Sequence, residues 1–274
     1  MPNASPLSEG QQKELFDAII REARRTLVGR RFLGIFGPLG AGVDTVDYEQ
    51  YGPDRDAEIE FVGKHDPEPI TGVRSSVLRI PILYKDFVLH WRDLELSKKL
   101  GSPIDASRAI RAAHSVADRE DQLIFNGDPN LKIEGLLNAA GRNKMKKGNW
   151  NQYGVAYKNV RDAIQLLLSK NHHRPFALAV SATEYATFVQ QREGQFAPEL
   201  AALQQICDDG VFTSPVIPEG RMVVLSTGDQ NVDLAVAEDF TITCLGDRDQ
   251  DFLVRIYESL IPRIKRPTAI VTIE

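Results

Sequence analysis

The sequence predicts an α+β protein. Three observations carry that assignment: a long amphipathic helix over 105–125, a polar segment at 52–76 that runs into a period-two apolar stretch, and a series of apolar strands after residue 220. The chain has 274 residues, enough for one large domain or two small ones, and its 42% hydrophobic and 26% charged residues are the balance of an ordinary globular chain. A net charge of −5 argues against a protein that coats nucleic acid, which needs a basic face for phosphates. The two cysteines, Cys207 and Cys244, form no CxxC, so a reducing compartment fits. The polar start MPNASPLSEGQQ has no signal-sequence pattern, and no apolar run nears the roughly 18 residues that span a bilayer. A soluble cytoplasmic protein with neither nucleic-acid nor membrane partner is expected.

The first helix opens at Ser8, spaced with Gln11 as a capping box, and Leu15, Ile19, Ala23 and Leu27 recur at helical spacing. Gly29 suits the position just past its end. Arg21, Arg24, Arg25, Arg30 and Arg31 make that end more basic than a helix C-terminus requires. In RFLGIFGPLGAGVDTVDYEQYG, the glycines Gly37, Gly40 and Gly42 invite a phosphate-loop reading. Their spacing is neither G-x-G-x-x-G nor a Walker loop, and residues 43–48 read as extended, so a glycine-rich turn between strands is expected. Residues 52–76 are too long and polar for a connection inside a compact domain. In VLRIPILYKDFVLHW, residues Leu78, Ile80, Ile82, Tyr84 and Val88 alternate, and Pro81 marks an edge strand. Residues 54–90 therefore read as a two-stranded arm with an open edge. Such a ribbon is marginal alone in water, and a second subunit is the obvious surface for it.

Asp105 is placed to cap the long helix, and Asn126-Gly127 to end it. A basic loop, GLLNAAGRNKMKKGNW, leads into an αβ lobe. There a helix in YKNVRDAIQLLLSK precedes a buried strand in PFALAVS. A helix ATEYATFVQQ follows, with Ser181 and Glu184 spaced as a capping box, and then a helix ELAALQQICDD stopped by Gly210. Strands are expected at RMVVLST, VDLAVAE, FTITCL, FLVRIYESLIPRI and AIVTIE.

At about 100° per residue, the long helix turns Ala109, Ala113, Val116, Ala117, Leu123 and Ile124 to the core and leaves Phe125 off that arc. His114, Asp118 and Asp121 share the opposite flank and resemble a ligand set. No Glu-x-x-His motif accompanies them, so a solvated flank is expected rather than a metal site. Glu120 falls near the centre of the apolar arc, where a carboxylate is costly unless paired. A structural role is expected for it, with Arg74 or Arg79 as partner. The chain has no G-x-S-x-G and no nucleophile with family-like flanks, so no catalytic residue is assigned. Cys207 and Cys244 read as small buried hydrophobes, and His172-His173 as a solvated turn. Trp91 reads as packing, or as a stacking platform for a flat ligand.

Four stretches in order, LVGRRFLGIFGPLGAGVDTV, ILYKDFVLHWRDLE, EDQLIFNGDPNLKIEGLL and RIYESLIPRIKRPTAIVTIE, resemble the encapsulin nanocompartment shell proteins with an N-terminal helix, also called the linocin or bacteriocin family. The resemblance covers nearly the whole chain. It implies the Hong Kong 97-type fold of tailed-phage major capsid proteins. It also implies a hollow icosahedral homo-oligomer in the cytoplasm, enclosing a cargo enzyme that docks by a C-terminal targeting peptide. The cargo would be a ferritin-like protein, for iron storage and oxidative-stress protection, or a dye-decolorising peroxidase. The implied division is 1–36 as N-terminal helix and cargo-facing segment and 54–90 as arm. Residues 37–53, 91–129 and 226–274 would form the peripheral domain, and 130–225 the axial domain. Cargo docking would fall to Leu27, Arg30, Leu33 and Ile35, with Asp239 and Ile242 opposite and Asp239 facing a basic peptide residue. Gly34 departs from the acidic residue that some relatives carry there. The pore would be lined by Arg192, Glu193, Gly194, Gln195 and Phe196. No cofactor is required, although a flavin against Trp91, beside Arg92, is implied for some members. Two other classes remain open: an enzyme, either a peptidase or a flavin-dependent oxidoreductase, and a phage-type capsid that packages DNA.

Overall fold

The computed structural model describes residues 7–52, 57–59, 61–63, 66, 69–191, 197–248 and 251–274. Helix α1 (Glu9–Thr26) starts at the expected capping box, with Ser8 and Gln11 exchanging side-chain to backbone bonds of 3.0 and 3.3 Å. The helix ends before Gly29, which does not serve as its cap. Gly29 instead opens a 3₁₀ turn, Gly29–Arg31, where any Cβ would press on Ile124 of the long helix. That close approach, not a left-handed turn, is what requires glycine there.

The first layer is a four-stranded sheet. Its strands are β1 (Gly34–Phe36), β4 (Ile82–Leu89), β9 (Val232–Arg248) and β10 (Asp251–Ile264), in the order β1-β9-β10-β4. The expected strands VDLAVAE and FTITCL are one continuous strand, β9. Register shifts opposite β10 let it bend without breaking. Across this sheet lies α3 (Ser107–Asn126), which packs on α1, β4 and β10. Ala109, Ala112, Ala113 and Ala117 line its buried face, and small side chains let two helix axes approach closely. Asp105 stands one residue before the N-cap, Ala106, and accepts the Ser107 N–H at 2.9 Å.

Phe125 is fully buried, contrary to its position off the apolar arc. The chain returning from α1 covers that flank: Phe32 lies 6.2 Å from Phe125 and 5.2 Å from Phe212, centroid to centroid. Helix α2 (Trp91–Leu100) was not legible in the sequence, because it buries only Leu94 and Ser97 and so lacks a helical apolar stripe.

The expected arm is divided differently. The two-stranded ribbon pairs β2 (Thr45–Tyr51) with β3 (Gly72–Arg79), and the chain breaks at Ile80-Pro81. Strand β4 leaves the ribbon to form the outer edge of the first sheet. Val46 and Ile80 root the ribbon against Ala235, Ala237 and Ile261, while Val77 beside that root and Val73 near the far end stand 63% and 75% exposed.

The second layer is a five-stranded sheet of β5 (Asn143–Met145), β6 (Phe176–Val180), β7 (Gly210–Thr213), β8 (Met222–Ser226) and β11 (Ile270–Ile273), in the order β5-β11-β8-β6-β7. The C-terminal strand therefore belongs here, not with the other closing strands. The central strands β11, β8 and β6 are buried at every position, and apolar at all but Ser226 and Thr272, because both faces are covered. Phe176, Leu178, Val180, Met222 and Val224 pack in one core with α4 (Val155–Ser169) and α6 (Glu199–Ile206). Ala177, Ala179, Val223 and Leu225 join the core of the first layer. Ser181 starts α5 (Ala182–Val189) without the expected capping box. Its hydroxyl donates to the Glu184 carboxylate, which pairs with Lys147 at 2.8 Å. His172 is buried, not solvated, and its Nε2 meets Thr268 Oγ1 at 2.9 Å, while His173 is exposed. Cys207 is buried; Cys244 is only half-buried.

Candidate functional site

The turn after α1 is held by a buried carboxylate. Asp121 accepts the Val28 N–H at 3.0 and 3.1 Å and the Gly29 N–H at 2.9 Å, with Ser214 Oγ at 3.4 Å. Burial pushes its carboxyl up to about 7, although these bonds pull the other way. Asp121 is thus not on a solvated flank, because the 3₁₀ turn docks on that side of α3. His114 and Asp118 do stay at the surface. His114 Nε2 meets Asp118 at 3.2 Å and its Nδ1 meets Glu22 at 3.5 Å. The two ring nitrogens face opposite carboxylates, so these groups do not converge on one ion, and no metal-binding cluster occurs among the described residues.

Glu120 has the arginine it needs, but from the turn and not from the ribbon. Arg30 Nε donates to Glu120 at 2.7 Å, Nη2 to Glu258 at 2.7 Å and Nη1 to Asp239 at 2.8 Å. Glu120 and Glu258 are wholly buried, whereas the Asp239 side chain is 64% exposed. Burial lowers the Arg30 value, but Glu120, Glu258 and Asp239 outweigh that and hold the guanidinium charged. Above this cage lies a groove of about 320 Å3 lined by Ile20, Ala23, Arg24, Leu27, Arg30, Arg31, Asp239 and Phe240. The Arg30 guanidinium sits 6.0 Å from the Phe240 ring. An aliphatic floor with a charged rim can take a short extended peptide by its apolar side chains and orient it by charge.

The structure brings only three of the six expected docking residues into this groove: Leu27, Arg30 and Asp239. Leu33 is 5% exposed and belongs to the core. Ile242 packs half-buried against that core. Ile35 is 51% exposed but lines a separate cleft of about 610 Å3 with Phe36, Asp47, Glu49 and Arg263. The side chain of Asp229 occupies the space a Cβ at Gly34 would fill, so the substitution at that position admits a carboxylate from another loop. Ile20, Arg24, Phe240 and Glu258 were missed. Glu258 gave the same signal as Glu120, a lone carboxylate in an apolar run. The expected pore residues, Arg192 to Phe196, lie outside the described residues. Trp91 is 40% exposed with Arg92 at 5.6 Å from its ring, and it lines neither the groove nor the cleft described above.

Solved capsids share this architecture. A virus-like particle from Pyrococcus furiosus matches with a TM-score of 0.77 at 20% identity, over 96% of this chain and 98% of that one. The capsid of Myoviridae phage XM1 gives 0.59 at 14% identity over 88% of each chain. The fold is the Hong Kong 97-type fold of tailed-phage capsid subunits. Sequence likeness then narrows the class. The family model Linocin_M18, described as encapsulating protein for peroxidase, matches residues 2–261. The type 1 encapsulin shell protein EncA of Myxococcus xanthus is 38% identical over 270 residues, 98% of this chain and 94% of that protein. A diheme-cytochrome–encapsulin shell fusion protein of Kuenenia stuttgartiensis is 39% identical over 259 residues, 94% of this chain and 70% of that protein. The chain belongs to the encapsulin shell family, whose members are structural shell proteins and not enzymes. No helix among the described residues is long and apolar enough to cross a membrane.

Proposed function

We propose that this shell subunit assembles with copies of itself around a cargo enzyme, and that the cargo is held by a short peptide in the groove between α1 and β9. The observation that carries the docking assignment is the groove itself: Ile20, Ala23 and Leu27 give it an aliphatic floor, and Arg24, Arg31 and the exposed Asp239 charge its rim. Asp239 bonds Arg30 yet still meets solvent, so it can also take a basic residue of the peptide. The four-stranded layer with α3 serves as the peripheral part, the five-stranded lobe as the axial part, and the ribbon reaches a neighbouring subunit through Val73 and Val77. The compartment is cytoplasmic, and small ions enter through openings lined by Arg192 to Phe196.

A ferritin-like cargo is the favoured reading, supported by the 25% identity to a ferritin-like–encapsulin shell fusion protein of Pyrococcus furiosus. Iron oxidised and stored in the cargo would then be the function served. The family description favours a peroxidase as the second reading.

The docking test is co-expression of the shell with the protein encoded beside it, fused to a fluorescent reporter. Ile20→Asp with Arg24→Glu should give particles of unchanged size and several-fold less reporter. Full loading would reject the groove. A flavin on Trp91 would have one aromatic face and the Arg92 cation beside it; flavin absorbance of purified shells that disappears in Trp91→Ala is the expected sign of it.

A further inference from the structure

The Arg30 cage holds one carboxyl more than a guanidinium edge ordinarily faces. At two other arginines among the described residues the Nε and Nη2 edge meets a single carboxylate. Arg263 grips Asp233 in this way at 2.7 and 2.6 Å, and Arg255 grips Asp86 at 2.7 and 2.9 Å. At Arg30 the same edge is divided between two residues, Glu120 on Nε and Glu258 on Nη2. The planar fork fixes those donors side by side, so the two accepting oxygens stand next to each other. Each carboxyl has its other oxygen buried without a hydrogen-bond partner, Oε2 in Glu120 and Oε1 in Glu258.

Two ionised carboxylates so placed would leave an uncompensated charge in the core, because the third partner, Asp239, is solvated and already balanced by water. We propose that Glu120 and Glu258 share one proton, and that this proton fixes Arg30 beneath the groove, so that the groove loosens when alkaline pH removes it. The meaning of such loosening for cargo rests on the docking reading above; the shared proton does not.

The charged groups facing the pair are Arg30 from the turn, Asp121 from α3 and Asp239 from β9, with Arg24 and Arg31 at the mouth of the groove. The side chains that α1 and β4 bury in this core are apolar, Leu15, Ile19, Leu83 and Phe87 among them. Burial raises both carboxyls above the ordinary glutamate range, Glu258 further than Glu120. A raised folded-state value means that the stabilisation is complete below the unfolded value and is lost as pH climbs through the folded one.

The test uses assembled full-length shells of the wild type, Glu258→Gln and Glu120→Gln. An amide at either position keeps an acceptor for Arg30 and supplies an N–H in place of the shared proton. Infrared spectra at about pH 7, taken with Asp121→Asn in all three proteins so that its raised carboxyl adds no band, should show a protonated-carboxyl carbonyl stretch when both glutamates are present that is lost in both variants, since ordinary glutamates are ionised there. Amide exchange over residues 28–31 and 239–240, corrected for its intrinsic pH dependence, should rise about tenfold or more with alkaline pH in the wild type and stay flat in Glu258→Gln. Absence of the band when both glutamates are present, or a band that survives in both variants, overturns the shared proton. Exchange that rises equally in wild type and Glu258→Gln overturns its control of the groove. Neither measurement uses cargo, so a failure of docking would leave both results readable.

Discussion

Replacing Arg30 with methionine is the sharpest probe of how this subunit is held together. Methionine keeps most of the side-chain volume and removes all three ion pairs. The bond to Asp239 matters little, since a pair with one member 64% exposed is worth at most about 1 kcal/mol. The cost lies with Glu120 and Glu258, which are wholly buried and lose the cation that bonds them both. Removing one partner of a buried ion pair costs about 3–5 kcal/mol. At roughly 2–4 °C per kcal/mol for a large domain, Arg30→Met should melt about 6–20 °C below the wild type. The assay is thermal unfolding of assembled shells at one concentration and one scan rate, because such particles unfold irreversibly. Arg30→Met combined with Glu120→Leu and Glu258→Leu should recover most of the loss, since a buried ion cluster can be exchanged for apolar groups at little net cost. A loss under about 2 °C for Arg30→Met alone, less than about 1 kcal/mol, would mean that Arg30 does not hold the two buried glutamates in the fold.

Asp121→Asn should flatten part of the pH dependence of stability. The folded carboxyl is raised from 3.8 to about 7, so the contribution of this site is complete below about pH 4, falls as pH rises to about 7 and is constant above. Asparagine cannot ionise but can still accept the Val28 or Gly29 N–H; an unchanged slope between those limits in unfolding titrations would count against the assignment. Leu33→Asp should abolish soluble particles instead of selectively blocking cargo, because Leu33 is a core residue; intact empty shells would show otherwise. His114→Ala should shift the melting point by no more than the equivalent of about 1 kcal/mol, since its ion pairs are half exposed.

The parts of the fold that could be read directly were those in which local pattern and tertiary burial agree. The capping box at Ser8, the apolar face of α3 and the uninterrupted apolar runs of β6 and β8 all persist in the structure. What escaped was decided by distant segments. Phe125 and Asp121 lie outside the helical apolar arc and are nevertheless buried, because the turn at Gly29–Arg31 folds over them. Glu120 announced itself as a carboxylate needing a partner, but that partner could not be chosen by sequence position: Arg30, 90 residues away, displaced the expected arginines of the ribbon. The docking set divided for a similar reason. Leu33 stands just before β1 and packs in the core, while Ile35 within β1 lines a separate cleft, so neither joins Leu27 in the groove.

The roles proposed for the groove and the ribbon require this chain to be the wall of a closed particle. Sedimentation velocity and cryo-electron microscopy of the purified protein at micromolar concentration test that most directly. The prediction is a single population of hollow, closed shells built from many copies of this subunit, with the ribbon of each lying on its neighbour. A monodisperse monomer or dimer under the same conditions would contradict it.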